Sequence, residues 1–331
     1  MIGRYVTSAH TVANNMKVGL LSASRILVCD PASVLMMYSL RNKNMRLEQN
    51  NNYLLFLEDY SKDDHAMPYV NTPKGIQLYY ESYGTGRPVI FIHPPLMGHV
   101  VFRYQEALSD HVQVILYDQR GHGRSGYQPS HSLEHVIPDH VDDLRALIQE
   151  LDLKRPVLVG YSSGGLIALA YALAFTNELG GVVLSGGFPR VDSSILFMEF
   201  QVGILIMKAQ GINLLSRLLA KAHKVTSEDE IVLRMYGKKA NMHAVSDLYK
   251  AGFRADYSSK LPQLDQLPMR IIYGTRDKFI NKHKKYFDTL THTKIIFIEK
   301  AFHQLPTHQH EAFNRIIKQF LPEIDQYTMK R

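Results

Sequence analysis

A single cysteine, Cys29, occurs in 331 residues, which excludes an intramolecular disulfide framework and makes a reducing compartment the expected setting. Long apolar runs are missing as well: no stretch approaches the ~18 residues needed to span a bilayer. The apolar stretch "VGLLSASRILVC" near the N-terminus is interrupted by Arg25, which argues against a secretory signal. These absences lead to the expectation of a cytoplasmic chain with no membrane span. Nucleic-acid motifs are absent too, although the formal charge is +7. Residues 1–66 contribute +1 of it and the remainder +6, spread over short clusters such as "KHKK" (282–285) without aromatic interleaving. A solvated basic surface is expected, and no nucleic-acid partner.

What is present is an ordinary core-forming composition, 45% hydrophobic, enough for two modest domains or one large α/β unit with insertions. Residues 1–66 stand apart. They contain the asparagine-rich "RNKNMRLEQNNNYLLF", and no glycine falls between Gly19 and Gly75. One or two helices around "SVLMMYSL" are expected there, as an extension of unknown role or a separate interaction module. An alternative is that translation starts at Met67.

From Met67 onward apolar runs of strand length alternate with helical patterns. "IQLYYESYG" (76–84), "RPVIFIHPP" and "HVQVILYDQ" read as strands, and "DHVDDLRALIQELDL" as a helix with Val141, Leu144, Leu147, Ile148 and Leu151 at helical spacing. "VLV" (157–159) and "GGVVLSGG" are short buried strands on either side of the helix "LIALAYALAF". "LPMRIIYGTRD" and "KIIFIEKAFH" are two more, separated by a helix around "KHKKYFDTL". A final helix carries Ala312, Phe313, Ile316, Ile317, Phe320 and Leu321 on one face. This order predicts an α/β fold, a mostly parallel sheet with helices on both faces. Between 187 and 261 the alternation stops. That insertion is rich in helix formers, with "ILFMEFQVGILIM" (195–207) apolar nearly all round, and is expected to be a helical lid. The expected division is therefore a core of 67–186 and 262–331, with 187–261 as the lid.

The stretch "VLVGYSSGGL" (157–166) places two serines at the strand-to-helix junction. A nucleophile on so sharp a turn needs small residues two positions before and after it. Ser162 has Gly160 and Gly164 there, whereas Ser163 would have Tyr161, so Ser162 is the candidate nucleophile in a G-x-S-x-G pattern. Together with "DQRGHGRS" (118–125), this pattern and its order along residues 67–325 resemble the α/β-hydrolase family. The resemblance implies an acid after the strand "RIIYG", which is Asp277, and a base after "KIIFIEKAF", which is His303. Asp192 is a weaker rival for the acid, and His308 and His310 rival His303. The serine removes family members that use an aspartate nucleophile, and the chain lacks the His-Gly-Gly-Pro-Gly stretch of proline iminopeptidases.

Acyl transfer also needs donors to a developing oxyanion. One is expected to be the N–H of Ser163. The other should come from "HPPLMG" (93–98), but Pro95 has no N–H, so Leu96 is the expected donor and His93 a structural part of the loop. "RGHGRSG" lacks the Gly-Lys-Ser/Thr ending of a phosphate loop. His131, His135 and His140 could suggest a metal site, but Pro138 interrupts a common helical face, and all three are expected at the surface. The expectation is a cofactor-free, metal-free serine hydrolase acting on a small, fairly apolar ester, lactone or C–C substrate. A hydrolase-like ligand-binding signalling protein with little turnover is the alternative.

Overall fold

The computed structural model describes residues 68–329, the side chains of 327–329 excepted. The expectations for residues 1–66, for Cys29 and for a start at Met67 lie outside the described residues.

Among the described residues, eight strands form one sheet. They are β1 (Tyr69–Asn71), β2 (Gln77–Tyr83), β3 (Pro88–Ile92), β4 (Gln113–Tyr117), β5 (Val157–Tyr161), β6 (Gly181–Ser185), β7 (Met269–Gly274) and β8 (Thr293–Ile298). Their order is β1-β2-β4-β3-β5-β6-β7-β8. Only the β1/β2 and β2/β4 pairs are antiparallel. The remaining pairings are parallel, with Ile90 opposite both Ile115 and Leu158, and Val159 opposite Val183.

Alternation along the strands builds two apolar layers, because successive side chains point to opposite faces. Ile90, Ile92, Leu158, Val182 and Tyr273 face α1 (Val136–Glu150) and α2 (Gly164–Ala174). Val89, Phe91, Val157, Val159 and Ile272 face the 3-10 segment His99–Leu108 and a long C-terminal helix, His310–Met329, which presents Phe313, Ile317, Phe320 and Ile324. The expected mostly parallel sheet with helices on both faces is therefore observed. Each fully buried side chain of this size contributes about 1.5–3 kcal/mol.

Four helices lie between β6 and β7: α3 (Ser194–Lys208), α4 (Ile212–His223), α5 (Ser227–Gly237) and α6 (Met242–Arg254). Ser193, Thr226 and Asn241 cap α3, α5 and α6 with side-chain oxygens that accept first-turn N–H groups. Although its sequence is apolar nearly all round, α3 buries only Leu196, Phe200, Gly203 and Met207, leaving Ile195, Phe197, Met198 and Leu205 exposed. Among the described residues no helix is long and apolar enough to cross a membrane.

Three local expectations are corrected. The segment around "KHKKYFDTL" forms only a 3-10 turn, Asn281–Tyr286, and not an α-helix. Helix α1 starts at Val136 and contains Pro138 in its first turn, where a missing N–H costs nothing. That start places His140 on the inner face of α1, buried, and burial pushes its pKa well below the ordinary value, so it is not a surface histidine. His131 and His135 are exposed, and among the described residues no group of three or more ligand side chains is placed to hold a metal ion.

Candidate active site

Ser162 stands at the carboxyl end of β5 with φ of +52°, a left-handed conformation that is costly for a side-chain-bearing residue. Its N–H continues the ladder to Ser185 O at 2.8 Å, and its carbonyl accepts Gly165 N–H at 2.9 Å as the chain turns into α2. The flanking glycines are required by contact. A Cβ on Gly160 would lie 2.6 Å from Gly165 Cα, and one on Gly164 would lie 2.3 Å from Ile92 O of β3. The adjacent Ser163 is buried and opens α2 as its N-cap.

His303 and Asp277 arrive from loops after β8 and β7. These loops touch closely: Arg276 N–H donates to Ala301 O at 2.8 Å, and a Cβ on Gly274 would meet Ala301 O at 2.4 Å. His303 Nδ1 lies 2.8 Å from Asp277 Oδ2, and Nε2 lies 2.9 Å from Ser162 Oγ. The structure thus brings the three sequence-selected side chains into one hydrogen-bonded chain. Burial alone would lower the His303 pKa. The hydrogen bond and charge of Asp277, joined by the charge of Glu199, outweigh burial and raise it.

The rivals sit elsewhere. Asp192 pairs with Lys285 at 2.6 Å and accepts from the Tyr286 hydroxyl, and these bonds hold its pKa down at about 2. His308 Nε2 is 3.0 Å from Lys224 O, and the His310 ring stacks on Tyr104 with centroids 4.4 Å apart.

The loop after β3 is shaped by His93. Its Nδ1–H donates to Pro94 O at 2.8 Å, and its Nε2 accepts Gln119 N–H at 3.0 Å. Burial, then the neighbouring His122, pushes its pKa down to about 3, so it is a neutral prop for the loop. Leu96 has φ of +75°. The N–H groups of Leu96 and Ser163 find no acceptor among the described residues, although both residues are buried. Buried N–H groups are rarely left unmatched, so both retain the capacity to donate a hydrogen bond.

Two groups near the site escaped the sequence. Glu199 on α3 is reached by solvent, yet desolvation by the surrounding protein is the largest influence on it and raises its pKa, while the charge of His303 opposes the rise. Glu199 also acts electrostatically on Asp277 and on Tyr161. The second group surrounds Asp118 of "DQRGHGRS". Its Oδ1 accepts His99 N–H at 2.9 Å and lies 3.0 Å from His99 Nδ1, while its Oδ2 accepts from Tyr236 Oη at 2.6 Å and Arg124 N–H at 2.9 Å. His99 Nε2 reaches Glu81 Oε1 at 3.1 Å, and Glu81 accepts from Tyr79 and Tyr83 at 2.7 Å each. Burial works against the His99 charge, but Asp118 and then Glu81 raise its pKa to about 10. Burial likewise opposes ionisation of Glu81, but His99 and the tyrosines bring it to about 2. A lone histidine and glutamate far apart in the sequence gave no signal of this meeting.

Comparison with known proteins agrees with this architecture. The alpha/beta hydrolase fold family matches residues 87–313. The AB hydrolase superfamily protein YisY of Bacillus subtilis is 35% identical over 105 residues, covering 31% of this chain and 38% of YisY, so the match spans well under half of that relative. The bifunctional esterase/perhydrolase DCH of Acinetobacter calcoaceticus is 25% identical over 77% of this chain and 99% of its own. Among solved structures, a thermophilic esterase from Thermogutta terrifontis superposes with a TM-score of 0.68 at 24% identity, covering 78% of this chain and 99% of that one.

Proposed function

The chain belongs to the alpha/beta hydrolase fold family, and on that premise we propose that it is a serine hydrolase that cleaves a small, fairly apolar carboxylic ester through an acyl-enzyme on Ser162. The observation that carries this reading is the hydrogen-bonded chain from Ser162 through His303 to Asp277. A serine hydroxyl is a weak nucleophile until a base takes its proton. With Nδ1–H donated to Asp277, the His303 Nε2 lone pair faces the Ser162 hydroxyl. As Oγ attacks the ester carbonyl, its proton passes to Nε2, and the Asp277 carboxylate stabilises the imidazolium. Collapse of the tetrahedral intermediate breaks the C–O bond, and the imidazolium returns the proton to the departing alcohol. Water, deprotonated by His303, then releases the acid and regenerates Ser162.

The N–H groups of Ser163 and Leu96 are the proposed oxyanion donors, each worth about 10²–10³ in kcat for such a site. The four-helix insertion is the proposed lid, and the apolar composition of α3 is what suggests an apolar substrate. A relative named as a bifunctional esterase/perhydrolase supports carboxylic esters as the first substrate class, with lactones and C–C substrates open to the same chemistry. A fluorophosphonate probe tests the reading. Rapid labelling at Ser162, abolished by Ser162→Ala, with turnover of short-chain aryl esters, is expected. A folded wild-type protein that is neither labelled nor active on any such ester overturns it and favours the ligand-binding alternative.

A further inference from the structure

Leu96 occupies the left-handed region without being glycine, so its surroundings must hold it there. Its side chain does not join either layer of the sheet core. It is 1% exposed and packs among Met207 of α3, Leu215 of α4, Val245 of α6 and Ala240 between α5 and α6, all residues of the insertion. Its Cδ2 lies so near Gly237, the last residue of α5, that a Cβ there would be 3.3 Å away.

Two residues further on, the same loop is fastened a second time. Gly98 abuts the Tyr236 ring, where a Cβ would lie 2.5 Å from Cδ1. The Tyr236 hydroxyl donates to Asp118 Oδ2, and Asp118 Oδ1 accepts the N–H of His99, which directly follows Gly98. Helix α5 is anchored at its other end too. Asp229 accepts from Arg103 at 3.0 Å and from Tyr104 at 2.8 Å while it also caps the helix through Thr226.

We infer that the helical insertion is what positions the second oxyanion donor: the Leu96 side chain is a plug held in the insertion's own apolar cluster, and Tyr236 is a polar latch on the following backbone. Leu96 has two working ends, an N–H without a protein acceptor and a side chain owned by the insertion. Tyr236 is a positioning residue that acts through Asp118 and the Gly98–His99 backbone. Any shift of the insertion then moves the donor, so oxyanion stabilisation depends on how the insertion is packed. The inference rests on the serine-hydrolase reading above, because only that reading gives the Leu96 N–H its task.

Three variants separate this from a general packing defect. Leu96→Ala removes the plug and keeps the N–H, Leu96→Met restores a flexible apolar plug, and Tyr236→Phe removes the latch hydroxyl while keeping the ring on Gly98. Each is read by kcat and KM on an aryl ester, by the fluorophosphonate inactivation rate, and by near-UV circular dichroism to establish folding. A folded Leu96→Ala variant is expected to lose about 10- to 100-fold in kcat with KM changed less than about threefold, and to lose inactivation rate in the same proportion. Leu96→Met should recover most of that loss, and Tyr236→Phe should lose about tenfold in kcat. Wild-type kcat in folded Leu96→Ala and Tyr236→Phe, or losses confined to KM, overturn the inference. If Leu96→Ala does not fold, Tyr236→Phe alone decides. A wild-type protein that the probe never labels is a different outcome: it defeats the serine-hydrolase reading itself.

Discussion

Gly164 and Gly165 are neighbours at the start of α2, and alanine should be nearly harmless at one and damaging at the other. A Cβ on Gly164 would sit 2.3 Å from Ile92 O and 2.9 Å from His93 O. Both are backbone atoms, and Ile92 lies in β3, which pairs with β4 on one side and β5 on the other. An overlap exceeding 1 Å against a central strand cannot be relieved by a rotamer change, so the cost falls at or above the upper end of the ~1–3 kcal/mol typical of overpacking. At about 2–4 °C per kcal/mol for a domain of this size, Gly164→Ala should lower Tm by roughly 6–12 °C. The nearest atom to a Cβ on Gly165 is Leu184 Cδ2 at 3.3 Å, the far end of a side chain that can rotate. Alanine there gains up to about 1 kcal/mol of helix propensity, so Gly165→Ala should stay within about 4 °C of wild type. The assay is a thermal melt followed by circular dichroism, with fluorophosphonate labelling alongside. Gly164→Ala should also label at least about tenfold more slowly, because the displaced turn carries Ser162 away from His303. A Gly164→Ala protein that melts and labels like wild type, or a Gly165→Ala protein damaged equally, would refute the reasoning.

Further expectations follow from the same geometry. Asp277→Asn should lower kcat by about 10⁴-fold with the fold intact, because an amide donating to Nδ1 leaves the proton on Nε2, where it cannot accept from Ser162; a loss under tenfold in steady-state kinetics would contradict the assigned role. The raised His303 pKa places the acid limb of kcat/KM above the ordinary imidazole value, with activity rising as His303 loses its proton. Glu199→Gln removes a negative charge that favours the imidazolium, so the acid limb should move to lower pH, and an unmoved or upward-shifted limb counts against this electrostatic influence. The His99 shift, from 6.5 to about 10, supplies stability that is complete below pH 6.5 and lost as pH rises toward 10. The Glu81 shift, from 4.5 to about 2, supplies stability complete above pH 4.5 and lost as pH falls toward 2. Urea midpoints should therefore decline from pH 6.5 to 9 more steeply in wild type than in His99→Gln; parallel curves would sink this account.

Much of the architecture was legible because it is written in local patterns. Runs such as "VLVGY" (157–161) are too short and too apolar to be surface helices, and their alternation with helical segments implies a parallel sheet. The spacing of Gly160, Ser162 and Gly164 is local as well, and the close approaches measured at both glycines explain it. Asp277 and His303 are legible only through family resemblance and their place after strands, since nothing in the sequence itself links positions 26 residues apart to a serine 141 residues upstream of His303. The local reading failed where tertiary context overrides it. "KHKKYFDTL" has helical composition, but Ile280, Phe287 and Leu290 are drawn into the core of the sheet, and only a 3-10 turn fits there.

The sequence by itself determined the fold class and the glycine-flanked strand-to-helix turn that carries Ser162, because periodicity and glycine spacing act over a few residues. Only the tertiary structure decided which buried charges meet. Glu81, His99, Asp118 and Tyr236 come from β2, the 3-10 segment, the end of β4 and α5, and their ionisation is set by burial together with partners, neither of which exists until the chain has closed. It alone decided, too, that Leu96 belongs to the insertion and not to the sheet beneath it, since a leucine at a loop tip packs against whatever apolar surface the finished fold brings over it.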